Sequence, residues 1–149
     1  MLDWDWSGIT TIQSGVPLTV NEEGNQCGSF IGSQCRPDQI LPNPNFSHGT
    51  GSVQEWFNTA AFAIQPTVRD GTAGRDSVRA PGVNNWDMSL AKTIPIHEKL
   101  GLRFQFEAFD TFNNPHFGIP QRYIDAAGFG RILSAGNPRL LQASLKLSF

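Results

Sequence analysis

Leu141 to Phe149 alternates apolar and polar residues without a break: Leu141, Ala143, Leu145, Leu147 and Phe149 are apolar, and Gln142, Ser144, Lys146 and Ser148 are polar. Successive side chains of a strand point to opposite sides, so this stretch reads as a strand with one apolar and one polar face. Similar alternation recurs three times. From Leu100 to Phe112, Leu100, Leu102, Phe104, Phe106 and Ala108 oppose Arg103, Gln105 and Glu107. From Asn85 to Ile94, Trp86, Met88, Leu90 and Ile94 oppose Asn85, Asp87, Ser89 and Thr93. From Leu2 to Gln13, Leu2, Trp4, Trp6 and Ile12 oppose Asp3, Asp5, Ser7, Thr11 and Gln13, with Gly8 and Thr10 diluting the apolar side and Ile9 lying on the polar one. The expected fold is all-β, with four long antiparallel strands near residues 2–14, 83–95, 99–112 and 139–149, paired up-and-down in sequence order.

The lengths and the connections suggest what these strands cross. About 9–11 tilted residues span a bilayer, whereas strands of soluble proteins average nearer 5–6. The link from Pro95 to Lys99 suits a tight hairpin turn. The other two connections, residues 15–82 and 113–138, are long and leave from the opposite side. Outer-membrane barrels sort their loops in this way, with short periplasmic turns and long outer loops. A soluble meander has no reason to do so. With a periplasmic carboxyl terminus, Trp4, Trp6 and Phe149 fall toward one bilayer interface, and Trp86, Phe109 and Phe112 toward the other, where amphipathic rings are favoured. Lys92 interrupts the apolar side, and its long stem is expected to carry the ammonium to the headgroups.

Composition narrows the class. Charged residues make up 16% of the chain, below the roughly 25% usual in soluble domains. The net charge of −2 does not point to a nucleic-acid partner. No apolar run reaches the ~20 residues of a spanning helix, as expected where apolar residues come at every second position. The opening Met1-Leu2-Asp3-Trp4-Asp5 lacks the basic region and apolar core of a signal peptide. A membrane barrel must be exported, and about eight strands are needed to close one. The expectation is therefore a piece of a longer protein, a barrel closed by several copies being the less economical alternative.

Residues 15–82 are rich in Gly, Pro, Asn and Ser, which favour turns. Asp70-Gly71 suits a tight turn. Trp56, Phe57 and Phe62 suit either apolar anchors for the loop or ligand contacts. Arg36-Pro37-Asp38 and the group Arg69, Arg75 and Arg79 suit a solvated surface or one that contacts anions or sugars. Cys27 and Cys35, the only cysteines, most simply pair as a disulfide in an exported loop.

Signals for catalysis are absent. His48, His97 and His116 stand in no ligand-spaced motif, Gly128-Phe129-Gly130 runs into Arg131 rather than completing a dinucleotide fingerprint, and no nucleophile motif occurs. Asp87, Arg103 and Glu107 read as polar residues lining a wall. No catalytic, metal-binding or cofactor-binding residue is assigned, no cofactor is expected, and the chain is not expected to be an enzyme.

Several ordered motifs resemble the end of TonB-dependent outer-membrane receptors of the Oar-like type, which carry a carboxypeptidase-regulatory-like domain. They run from Ser7 to Val20, Trp56 to Ala63, Gly74 to Gly82, Asn85 to Leu90, Phe106 to Gly118 and Phe129 to Ile132, and the chain ends on the terminal Phe149 of that pattern. The resemblance implies the C-terminal segment of a transmembrane barrel in the bacterial outer membrane, taking up a ligand that the sequence does not identify. It implies outer-membrane lipid, the remainder of the barrel, a plug domain and, through a missing N-terminal part, TonB as partners. It also implies that Leu141, Ala143, Leu145, Leu147 and Phe149 form a signal read by the barrel-assembly machinery. A soluble all-β binding or adhesion module and a small autonomous porin-like barrel stand as alternatives.

Overall fold

In the computed structural model, residues 4–24, 27–28, 35–46, 51–97 and 100–149 are described. Four strands form one antiparallel sheet in the order β1 (Trp4–Gln13), β6 (Val83–His97), β7 (Leu100–Phe109) and β8 (Leu140–Ser148). Between β1 and β6 lie four two-residue strands: β2 (Pro17–Leu18), β3 (Asp38–Gln39), β4 (Phe62–Ala63) and β5 (Val78–Arg79). The fold is all-β, and a single 3-10 turn at Thr59–Ala61 is the only helical element among the described residues.

The long strands form where the sequence alternates, with three differences at their ends. The positions expected for Leu2, Asp3 and Lys99 lie outside the described residues. β7 stops at Phe109 instead of reaching Phe112, because Asp110 takes a left-handed backbone (φ 51°), as does Asn113 (φ 53°). Such residues suit turns, and here the Asn113 N–H donates to the Asp110 carbonyl at 2.8 Å. β6 does not end at Pro95. Pro95 pairs with Gly101 and His97 with Leu100, leaving a bulge between Pro95 and His97, where a residue without an N–H is tolerated.

The register assigns the faces. One runs Trp6–Leu90–Phe106–Ala143 and Trp4–Lys92–Phe104–Leu145, flanked by Ile94–Leu102–Leu147 and Met88–Ala108–Leu141. The other runs Asp5–Ala91–Gln105–Ser144 and Ser7–Ser89–Glu107–Gln142, then Thr93–Arg103–Lys146. Trp6 is 72% and Leu145 68% exposed, so the apolar face is bare in this chain. β1 and β8 are the edge strands, and closing a barrel calls for strands beyond these four.

Residues 14–82 and 117–136 form a second compact unit with its own core. Leu18, Val20, Phe57, Ala61, Phe62, Ala73, Val78 and Ala80 are buried there, with Trp56, Ile124 and Phe129 packed against them. Phe57, Phe62 and Phe129 meet edge to face, with centroids 5.3 to 6.3 Å apart. Burying a side chain of this size contributes about 1.5–3 kcal/mol. Phe57 and Phe62 are thus anchors of the loop, and Trp56 joins them by donating its Nε1–H to the Arg79 carbonyl at 2.8 Å. Asp70-Gly71 forms no tight turn. Gly71 is buried with its N–H on the Arg36 carbonyl at 3.0 Å, and a Cβ there would collide with the backbone of Arg36 and Pro37. Close backbone approach, not turn geometry, is what requires glycine at this position.

Candidate functional site

The polar face of the sheet is a ladder of short local contacts. The Gln105 amide donates to Glu107 Oε1 at 2.8 Å, Asn85 to Asp87 Oδ2 at 3.0 Å, and the Asp110 N–H to Asp87 Oδ1 at 2.9 Å. Arg103 Nη1 stands 3.8 Å from Asp5 Oδ2. Asp87, Arg103 and Glu107 each have a separate partner, which is the arrangement of a polar wall and not of an acid–base pair. Phe109 also lies on this side, because it pairs with Leu140, two positions from Glu107. It is therefore not a member of the apolar-face aromatic belt. Trp86 and Phe112 do meet, edge to face at 5.7 Å. Trp6 pairs with Leu90, midway between the Trp86 and Ile94 rows, so it sits in the middle of the apolar face and not toward its end. The Lys92 ammonium lies 4.6 Å from the centroid of the Trp4 ring.

In the second unit, the segment around Asn21 pairs with the segment around Tyr123. The Asn21 N–H donates to the Arg122 carbonyl at 3.1 Å, and the Ile124 N–H donates to the Asn21 carbonyl at 2.9 Å. Cys27 and Cys35 are joined by a disulfide, with Cα atoms 5.6 Å apart. The Cys35 carbonyl accepts from the Glu22 N–H at 2.9 Å and the Asn21 amide at 3.3 Å. Arg36 and Arg122 lie beside these contacts and line a cleft of about 480 Å³ together with Arg75, Asp76 and Tyr123.

The arginines grouped by sequence separate in space. Arg69 forms a two-pronged pair with Asp38, Nη1 to Oδ1 at 2.8 Å and Nη2 to Oδ2 at 2.5 Å. That pair, helped by the Thr72 N–H, holds the Asp38 carboxyl below the usual aspartate range and the Arg69 guanidinium above its own. Arg79 donates to the Gly15 carbonyl at 3.3 Å. Only Arg75 of this group reaches the cleft.

Two further carboxyl groups in this unit depart from ordinary behaviour. Glu22 is fully buried, and burial raises its pKa against a bond from Gln65, with Asp125 and Asp38 adding repulsion. Its Oε1 has no hydrogen-bond partner among the described residues. For Asp125, burial opposes ionisation, but the N–H groups of Glu23 and Gly24, at 2.8 and 2.7 Å, prevail and lower its pKa. Among the described residues no three His, Cys, Asp or Glu side chains stand close enough to hold a metal. His116 lies 3.6 Å from Asp110 Oδ2, and His48 falls outside the described residues.

The sequence matches the family described as an outer membrane beta barrel domain over residues 1–142. The chain belongs to that family. No curated protein and no solved structure gives a significant match. The barrel wall resides in the bacterial outer membrane, with lipid as its surroundings. That environment accounts for the bare apolar face: in a barrel, residues facing lipid alternate with residues facing the lumen. The apolar set from Trp6 to Leu147 faces lipid, and the ladder through Gln105 and Glu107 faces the lumen. The long connections leave from the strand ends at Gln13, Val83, Phe109 and Leu140, and the short one lies at the His97–Leu100 end, which matches the loop asymmetry of such barrels.

Alternation alone locates the wall residues. It gives no sign of Arg122, Tyr123, Thr19 and Asn21 as cleft residues, or of Glu22 as a buried carboxyl. The sequence cues were Arg36, in Arg36-Pro37-Asp38, and Arg75, both candidates for a surface that contacts anions or sugars. The terminal set Leu141, Ala143, Leu145, Leu147 and Phe149 lies on or directly after edge strand β8.

Proposed function

We propose that the chain is the terminal wall segment of a TonB-dependent receptor that carries a ligand across the outer membrane. The observation behind this reading is where the receptor-like motifs fall in the fold. Trp56 to Ala63 supplies Phe57 and Phe62 to the core of the second unit. Gly74 to Gly82 supplies β5 and two cleft residues, Arg75 and Asp76. Phe106 to Gly118 supplies the end of β7 and its left-handed turn at Asp110 and Asn113. The motifs thus coincide with residues that build each unit internally.

In this reading the remaining strands and a plug belong to a longer protein, and the chain itself carries no catalytic step. Edge strand β8 ends the wall and presents Leu141, Ala143, Leu145, Leu147 and Phe149 to the assembly machinery. Strand addition supplies the affinity there, and alternate side chains supply the specificity.

The test is retention of the full-length protein, solubilised from outer membranes, on an immobilised periplasmic domain of TonB. Retention is expected. Loss of retention combined with ion conduction in a planar bilayer contradicts the reading and identifies a passive barrel.

A further inference from the structure

The cleft of about 480 Å³ falls within the roughly 300–1,000 Å³ of small-molecule sites. It gathers three arginines and one aspartate in a chain whose net charge is −2. Clustering cations in one concavity raises their mutual repulsion, and an anion bound there relieves it.

The three arginines are differently engaged. Arg36 donates its Nη1 to the Ala73 carbonyl at 2.7 Å and forms part of the wall. The Arg122 guanidinium lies 5.2 Å from the Tyr123 ring centroid and donates to the phenol oxygen at 3.3 Å. Arg75 is exposed and has no hydrogen bond or ion pair among the described residues. Its planar fork of donors is therefore open to a carboxylate or phosphate, which arginine grips with two parallel bonds.

Asp76 restricts what accompanies that anion. Its backbone is left-handed (φ 55°), and it is held by two bonds with Thr19: the Asp76 N–H donates to Thr19 Oγ1 at 3.0 Å, and the Thr19 hydroxyl donates to Asp76 Oδ1 at 3.4 Å. A carboxylate fixed beside the arginines accepts hydrogen bonds and repels a second negative charge. The ligand that fits has one anionic group next to hydroxyl donors, and Tyr123 gives it an apolar wall.

We propose that this cleft binds an anionic sugar, with Arg75 gripping its phosphate or carboxylate and Asp76 accepting from its hydroxyls. The proposal deepens the transport reading by naming the ligand class of the receptor. Binding to purified protein is measured without energised uptake, so a protein that binds the sugar but fails to engage TonB keeps the site and loses the transport reading.

Titration calorimetry on the full-length protein in detergent micelles tests it, with glucose 6-phosphate, glucuronate, glucose and inorganic phosphate as probes. At least one anionic sugar should bind ten or more times tighter than both glucose and inorganic phosphate, and the preferred one identifies phosphate or carboxylate as the natural anion. Arg75→Ala should weaken that binding at least tenfold, Arg75→Lys should weaken it less, and Arg131→Ala, outside the cleft, should leave it unchanged. An unaltered melting temperature shows that the Arg75 variants are folded. Absence of binding by both anionic sugars, equal binding of glucose or of inorganic phosphate, or full affinity in Arg75→Ala overturns the proposal.

Discussion

The Lys92 ammonium sits 4.6 Å from the centroid of the Trp4 ring, its direct partner across the β1–β6 ladder. A cation on a lipid-facing surface is costly, and the electron-rich face of an indole offsets part of that cost where water is scarce. Lys92 thus has a partner of suitable chemistry directly across the ladder, beside the long stem that can carry its ammonium toward headgroups. A double-mutant cycle with Trp4→Leu and Lys92→Met in the full-length protein should give a coupling of about 0.5–2 kcal/mol. Strictly additive effects on the unfolding free energy would show that the two side chains do not interact.

Glu22 and Asp38 give the second unit opposite responses to acid. Folded Glu22 holds its proton more tightly than the unfolded residue, because burial disfavours its charge. Lowering the pH therefore stabilises the fold from the raised value down toward 4.5, and the gain is complete below it. The Asp38 carboxylate is held by Arg69, so its contribution is present above 3.8 and disappears as the pH falls through its lower folded value. Hydrogen-exchange protection at Val20, Phe57 and Val78, corrected for intrinsic rates, should rise on mild acidification and fall again below 3.8. Glu22→Gln should abolish the rise and increase protection at neutral pH. A Glu22→Gln protein that keeps the parent's pH profile would count against this assignment.

The strands were legible because period-two alternation records both faces at once. Their ends were less so. The strand was expected to run to Phe112, but the alternation ends at Ala108, and Asp110 at the next apolar position turns left-handed. Phe109 and Trp6 were assigned to interfaces from their residue type, but the face and the depth come from pairing, with Leu140 and Leu90 respectively. The cleft was hidden for a different reason. Thr19, Arg36, Arg75 and Tyr123 converge through long-range backbone contacts such as Asn21 with Tyr123, whereas proximity in sequence grouped Arg69, Arg75 and Arg79, which the fold separates.

The disulfide should matter to the cleft as well as to stability. Cys35 precedes Arg36, and its carbonyl receives the Glu22 N–H and the Asn21 amide. Paired replacement of Cys27 and Cys35 by serine should cost about 2–4 kcal/mol in the second unit and reduce amide protection at Glu22. Two freely alkylated thiols in the folded parent protein, purified without reductant, would contradict the bond.

Removing Phe149 from the full-length protein should slow its appearance in the outer membrane. The residue directly follows edge strand β8, next to the edge that an incoming strand would meet. A pulse-labelled insertion assay separates recognition from packing. Normal insertion followed by easier melting would leave Phe149 a packing role alone.

Accessibility along β7 tests the membrane wall most directly. Single cysteines placed at each position from Leu102 to Glu107 in the full-length protein, in native outer membranes, are exposed to a membrane-impermeant maleimide and, in parallel, labelled for quenching by brominated lipid. Arg103, Gln105 and Glu107 should react with the aqueous reagent, and Leu102, Phe104 and Phe106 should be quenched by lipid, alternating without exception. Uniform aqueous labelling, or lipid quenching at both Gln105 and Phe106, would show that this sheet does not form a barrel wall in the register described.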